Sequence, residues 1–572
     1  MRLILLSLLS GSMAISLAGS AFAQTDPSPT QRDALANLWL ARSQTITEDL
    51  VKDATGFTPS GRALLWARLG QQWWQDDPEK ARSWILKAIE IVEAVPNREN
   101  PAERNLRLAT ARLLLNIVAP LDQKSSKTLI AILSDDAERV GEAERRANAE
   151  GLVEATVSIV EKDPQRAAEL GALALRIGRP PQIAWLIFRL RSRDTKLGDA
   201  LFAQTIEVAR QTLDPELINS LSHGVFPESM QPGTAKPVLP DGMRAEVLKL
   251  DLAFLQGNPL NAENRESICV SIGSFIAPVL GQFEHLLPQQ AAIARQSINQ
   301  CHSPAPLAQQ RIDEALNNQP LNTVEALLKA GNDVEDMKVR TVYQYRAAAL
   351  AREKNDFERA LKILDSMSAE SREFMNGAWE LIRIEYAVQA ALGFYKSGDV
   401  YGMRFVINAA PADLQPLVRI GFVWLLPGTR DKETDPTLEF LNDARTGLRR
   451  SKVSDAEKWG YYFALLKLTV RYQPSEAPGA LKEAVAALNR AEQSKAKETG
   501  NNQPDSLDGS GFSRTVPALL LAMDEYAVRE AVSSITSPES RAQVRLVLLG
   551  GCLEQMRSLK QGGANARPGA AN

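Results

Sequence analysis

The stretch from Tyr345 to Met367 constrains this chain more than any other, because it encodes two short helices that one hairpin cannot bury. Ala347, Ala348 and Ala351 give the first helix a face of small residues. Asn355 and Asp356 supply turn chemistry, and Ala360, Leu361 and Leu364 give the second helix an apolar face. A lone hairpin would leave both faces in water. It has to stack on neighbours, which is the physics of a helical repeat array. The expected fold is all-α: an irregular α-solenoid of helical hairpins, in one run or two halves.

The layout recurs. Asp76-Asp77-Pro78-Glu79-Lys80-Ala81 and Lys162-Asp163-Pro164-Gln165-Arg166-Ala167 each place a capping carboxylate before a helix with proline in its first turn. Ser397-Gly398-Asp399-Val400 reads as another such turn. The spacing between these turns follows no fixed period, so the expected repeats are irregular. Between them, apolar residues keep helical spacing, as in Leu106, Leu113 and Ile117, then Leu129, Leu133 and Val140. Sustained alternation flanked by hairpin turns is absent, which excludes a sheet-based reading.

Asn355-Asp356-Phe357-Glu358-Arg359-Ala360-Leu361 resembles the inter-helix turn of a tetratricopeptide repeat, with Ala348 and Ala360 where that family puts small residues at the helix crossing. Gln344, Met367 and Arg372 depart from the family's usual large apolar, small and proline residues, which marks a degenerate repeat over residues 341–372. The resemblance covers about one repeat length. It implies a protein-binding scaffold.

The chain opens with Met1-Arg2, a Leu-rich apolar run and Ala21-Phe22-Ala23. That is the pattern of a cleavable secretory signal, residues 1–23, with cleavage after Ala23. The next apolar run, Ile268 to Leu280, is broken by Gly273 and Pro278 and reads as too short to cross a bilayer. The expected location is the periplasm or the extracellular space, with no transmembrane segment after cleavage. A formal net charge of −3 is near balance and argues against a nucleic-acid binder, which needs a basic face.

Pro227, Pro232, Pro237 and Pro240 crowd a segment of little helical pattern, and 224–242 is expected to be a hinge or loop between an N-terminal array, 24–223, and a C-terminal array, 243–560. The polar, Gly-rich residues 497–513 read as a flexible loop and 561–572 as a disordered tail.

Few residues nominate chemistry. Cys269 and Cys301 are candidates for a disulfide in an exported chain, the alternative being two buried thiols. Cys552 reads as a buried free thiol. His285 and His302 lie near those cysteines, but the spacing does not make a metal site. Trp66, Trp73 and Trp74, in an N-terminal group with Trp39 and Trp84, are candidates for a saccharide-stacking platform against the plainer reading of core. There is no Gly-x-Ser-x-Gly, His-Glu-x-x-His, phosphate loop or dinucleotide fingerprint, so no catalytic, cofactor or metal residue is assigned. The expected function is a non-enzymatic scaffold for an envelope protein or peptide. The alternative is a cell-wall or polysaccharide-associated helical ring that binds saccharide.

Overall fold

The computed structural model describes residues 28–94, 100–135, 139–227, 239–259, 264–301, 323–375, 377–426, 436–498 and 515–561. All regular structure among them is helical. The expected leader and its cleavage point at Ala23, nearly all of the 497–513 loop, the tail after Gln561 and His302 lie outside the described residues. The chain forms two units. One is continuous, Phe57–Ser303; the other is composite and joins the residues up to Gly56 to those from Pro304 onward.

The composite unit contains the first helix, α1 (Pro29–Asp53). The continuous unit begins with α2 (Pro59–Trp73), α3 (Pro78–Glu93), α4 (Pro101–Val118), α5 (Gln123–Asp135), α6 (Glu142–Val157) and α7 (Pro164–Ile177). It goes on with α8 (Ile183–Arg193), α9 (Thr195–Thr212), α10 (Pro215–Val225) and α11 (Asp241–Gly257). Even-numbered helices pack each on the next from α2 to α10, while the odd-numbered partners pack beside them. The helices before and after residues 224–242 pack against each other, α10 on α11, inside one unit. This corrects the expected hinge: the boundaries fall at Gly56 and Ser303, although 228–238 are outside the described residues.

The continuous unit ends with α12 (Arg265–Ser271), a π turn (Ile272–Ile276), a 3-10 turn at Pro278, α13 (Leu280–Leu286) and α14 (Ala291–Cys301). Proline has no amide to donate and crowds the preceding turn, which accounts for a widened turn just before Pro278. The run read as too short is helical from Arg265 to Leu286, 22 residues, long and apolar enough by length and composition to cross a membrane. Here Ile268, Ile272, Phe275, Ile276 and Phe283 are buried within the unit, and Cys269 is bonded to Cys301, with Cα atoms 5.2 Å apart.

The composite unit continues with α15 (Val324–Asn332), α16 (Met337–Glu353), α17 (Phe357–Asp365), α18 (Ala369–Phe374), α19 (Ala378–Lys396) and α20 (Val400–Ala409). Then come α21 (Gln415–Leu425), α22 (Thr437–Arg450), α23 (Asp455–Tyr472), α24 (Ala477–Glu498), α25 (Thr515–Met523), α26 (Glu525–Ser533) and α27 (Pro538–Lys560). Helices α19, α21, α23, α25 and α27 form a row, each packed on the next, and α1 packs along α27. Ala347, Ala348, Ala351, Ala360, Leu361 and Leu364 are all buried where α16 meets α17. Burying one such leucine contributes roughly 1.5–3 kcal/mol before entropy is counted.

Three local devices repeat. An aspartate stands at the turn of six hairpins, Asp77, Asp163, Asp194, Asp356, Asp399 and Asp524, and accepts from the amide three residues on at 2.8–3.1 Å. An arginine early in a helix reaches back to a carbonyl at or just past the end of the preceding helix: Arg107 to Val92, Arg340 to Val334, Arg372 to Asp365 and Arg541 to Ile535. These bonds satisfy carbonyls that a helix end leaves without a partner. Ion pairs also join equivalent helices of successive hairpins: Arg112–Glu144, Arg352–Glu385, Arg404–Glu439 and Arg449–Glu483, separated by 32, 33, 35 and 34 residues. That separation is about one hairpin of chain, a period hidden by variable loops. Leu106 and Leu113, expected on the core stripe of α4, are partly exposed; Leu108, Ala111, Leu114 and Leu115 are buried instead. With leucines around most of the helix, composition does not fix the phase.

Candidate binding surface

Along the row of the composite unit, α21 and α23 bring together side chains distant in sequence. Trp459, Phe463 and Lys467 follow one another at four-residue steps, so they form a stripe along α23. The Lys467 ammonium lies 5.3 Å from the Phe463 ring centroid and 5.7 Å from that of Trp424 on α21. Phe463 and Trp459 are 5.9 Å apart with their planes tilted by 44°. Phe463 is buried, whereas Trp424, Trp459 and Lys467 are half-buried, and Leu425 beside them is exposed. Burial holds the Lys467 ammonium below the ordinary lysine range, and it pairs with no carboxylate among the described residues. The rings hold the cation by cation–π attraction, which strengthens where water is excluded. Lys467 thus presents a partly desolvated positive charge beside the half-buried Trp424 and the buried Phe463, with Trp459 on the other side of Phe463.

Elsewhere in this unit, Tyr345 of α16 is exposed and the Arg352 guanidinium lies 5.9 Å from the ring of Tyr386 on α19 while bonded to Glu385. Burial, aided by nearby Tyr345, pushes the Tyr386 hydroxyl up to about 12. The Tyr386 phenol therefore stays neutral.

The tryptophans singled out in the sequence do not make an open platform. Trp73 is buried, and Trp66 and Trp74 are half-buried. Cations from α3 lie over the rings: Lys87 over Trp66, Lys80 over Trp73 and Trp84, Arg82 over Trp74. Trp39 belongs to the composite unit and the other four to the continuous one. The physical reason is that α2 and α3 pair tightly, so long cationic side chains of one helix lie across the aromatic surface of the other. Sequence reasoning missed Trp424 and Lys467. The stripe on α23 is visible in the sequence, but its partner on α21 is set by packing.

No group of three or more His, Cys, Asp or Glu side chains suited to a metal occurs among the described residues. His285 sits near the end of α13, and Cys269 and Cys301 are consumed by their bridge. One recess, lined by Arg42, Asp49, Glu525, Arg529 and Arg545, has about 20 Å³ open to the centre of a water-sized sphere. That is room for one or two waters, far below what a small-molecule ligand needs.

The fold and this surface define an all-α protein with an aromatic and cationic surface on its composite unit. No protein-family model, no curated protein and no solved structure matches the chain.

Proposed function

We propose that the chain is an exported, non-enzymatic helical-repeat scaffold, an irregular and tetratricopeptide-like α-solenoid, that binds an envelope protein or peptide along the helix row containing α21 and α23. The observation that carries this reading is the half-buried Trp424 under Lys467, next to the Phe463 and Trp459 rings of α23. Tryptophan at a partly desolvated surface is the residue type that anchors protein interfaces, and a fixed cation beside it adds orientation. Support for the solenoid comes from the packing of equivalent helices, each on the next, and from ion pairs separated by about one hairpin. The Ala21-Phe22-Ala23 pattern supports export.

The test is affinity purification of the tagged mature chain from cross-linked envelope extract of its own host, beside a Trp424→Ala, Lys467→Gln double variant. The scaffold reading expects one or a few proteins at stoichiometric yield, reduced about tenfold by the variant, a change of the size expected for one interface anchor. Recovery of peptidoglycan or polysaccharide without protein would instead favour the saccharide-binding ring. Enrichment of nothing over a mock purification would sink both.

A further inference from the structure

The seam between α1 and α27 combines an apolar face, with Trp39, Ile46 and Leu50 of α1 buried, with a cluster of ion pairs. The two helices run antiparallel: Asp53 meets Arg541 at 3.3 Å and also bonds Arg545, Asp49 meets Arg545 at 3.9 Å, and Ile46 and Leu548 line the same recess. Two further pairs tie α1 to α26, Arg529 to Asp49 at 3.5 Å and Arg42 to Glu525 at 3.0 Å. The side chains of Asp53 and Arg545 are only 12% and 13% exposed, so removing one partner leaves the other charge covered and uncompensated, which costs more than breaking a surface bridge. Ser43 and Thr47, buried on α1, turn their hydroxyls to their own helix, to the carbonyls of Trp39 and Ser43. The small recess lies among the ion pairs, so apolar packing there is incomplete. Helix α1 is joined to the rest of its unit in sequence only through Phe57–Ser303. It can leave without disturbing the chain path of α15 to α27.

Beneath α1 lies Cys552, the one cysteine outside the disulfide and fully buried. Arg42 and Glu525 are close enough to act on its thiol, and burial pushes it up to about 12. In the closed seam Cys552 is therefore a protonated, covered and unreactive thiol.

We propose that α1 is an ion-pair latch: it opens from α26 and α27 as one piece while the rest of the composite unit stays folded, and opening uncovers Cys552 together with the apolar face of α27 that includes Leu549 and Leu553. The latch responds to ionic strength chiefly through its more exposed pairs to α26, Arg529–Asp49 and Arg42–Glu525, which salt screens more than the covered Asp53–Arg545 pair. It gives the composite unit a state in which one helix face becomes available only after release of the N-terminal helix.

The experiment is thiol labelling of the intact mature chain with a maleimide, with peptide mapping to place the label and Cys552→Ser as the control. Labelling of Cys552 is expected to accelerate about tenfold between low salt and about 1 M salt, where the screening length falls to about 3 Å. A similar gain is expected for Asp53→Asn at low salt. Hydrogen exchange in α1 should rise in parallel while α19 to α23 stay protected. Labelling that is insensitive to both salt and Asp53→Asn, or that occurs only where α19 to α23 also exchange, would overturn the latch. If Asp53→Asn fails to fold, the salt series on the unaltered chain decides alone.

Discussion

The continuous and composite units are built from the same hairpins but secured differently. The continuous unit ends in a covalent bridge, Cys269–Cys301, and contains backbone approaches so close that a Cβ on Gly178 would lie 2.3 Å from the Arg145 carbonyl oxygen. The composite unit is completed by a helix from the other end of the chain, tied there by charge pairs that include Arg42–Glu525 and Arg545–Asp53, 483 and 492 residues apart in sequence. It also buries the Arg383 guanidinium, which forks onto Asp365 at 2.7 and 3.0 Å. The lesson is that packing of successive helices fixes neighbours locally, whereas securing an end of a unit needs a separate device. One unit uses a covalent bond and tight backbone contact; the other uses electrostatics.

The largest contrast is expected on breaking the bridge. Cys269→Ser with Cys301→Ser should lower the stability of the continuous unit by about 3–4 kcal/mol, as loss of a loop of that length implies. Hydrogen exchange resolved by mass spectrometry should show the loss in α10 to α14, with α19 to α23 unchanged. Equal loss in both units would erase the distinction. Next in size, Gly178→Ala should cost about 2–3 kcal/mol through overpacking against backbone. Gly398→Ala in the composite unit meets no atom within 4 Å but sits at φ 79°, so it should cost only about 1–2 kcal/mol from the left-handed backbone. Denaturant midpoints of the two variants give the ranking.

Asp251 on α11 tests polarity inside the continuous unit. Its carboxyl is fully buried and accepts from Ser222 at 3.0 Å, while its second oxygen has no partner. Burial raises its pKa well above the usual range, and the Ser222 hydrogen bond opposes that only in part. The folded state therefore holds this proton more tightly than the unfolded chain does. Its stabilising contribution is full below the unfolded value of about 3.9 and declines as pH rises through and above it. Asp251→Asn should stabilise by about 1–3 kcal/mol at pH 7 and by nearly nothing near pH 3. Urea unfolding at both pH values checks the sign, and a loss of stability at pH 7 would mean that the ionised form is the one held. The smallest effect should be shared: Asp163→Ala and Asp356→Ala, one cap in each unit, should each cost about 1 kcal/mol. A much larger cost in one unit would show that its turns do more than cap.

The sequence by itself determined the helices, their caps and the hairpin at Asn355, because those depend on groups a few residues apart: an aspartate and the amide three positions on, or small residues one turn apart. It brought Cys269 and Cys301 forward as a pair but left bond and separate thiols open. It misplaced the core face of α4, because leucines surround that helix, and it put the dividing segment at 224–242 because prolines mark loops, and loops occur within units as well as between them. Only the tertiary structure decided that α1 belongs with α27, that Trp424 meets Lys467, and that Trp66, Trp73 and Trp74 carry cations on their faces. Each of those depends on which helix becomes the neighbour of which. That choice is a sum of many weak contacts across long sequence separations, and no single residue type carries it.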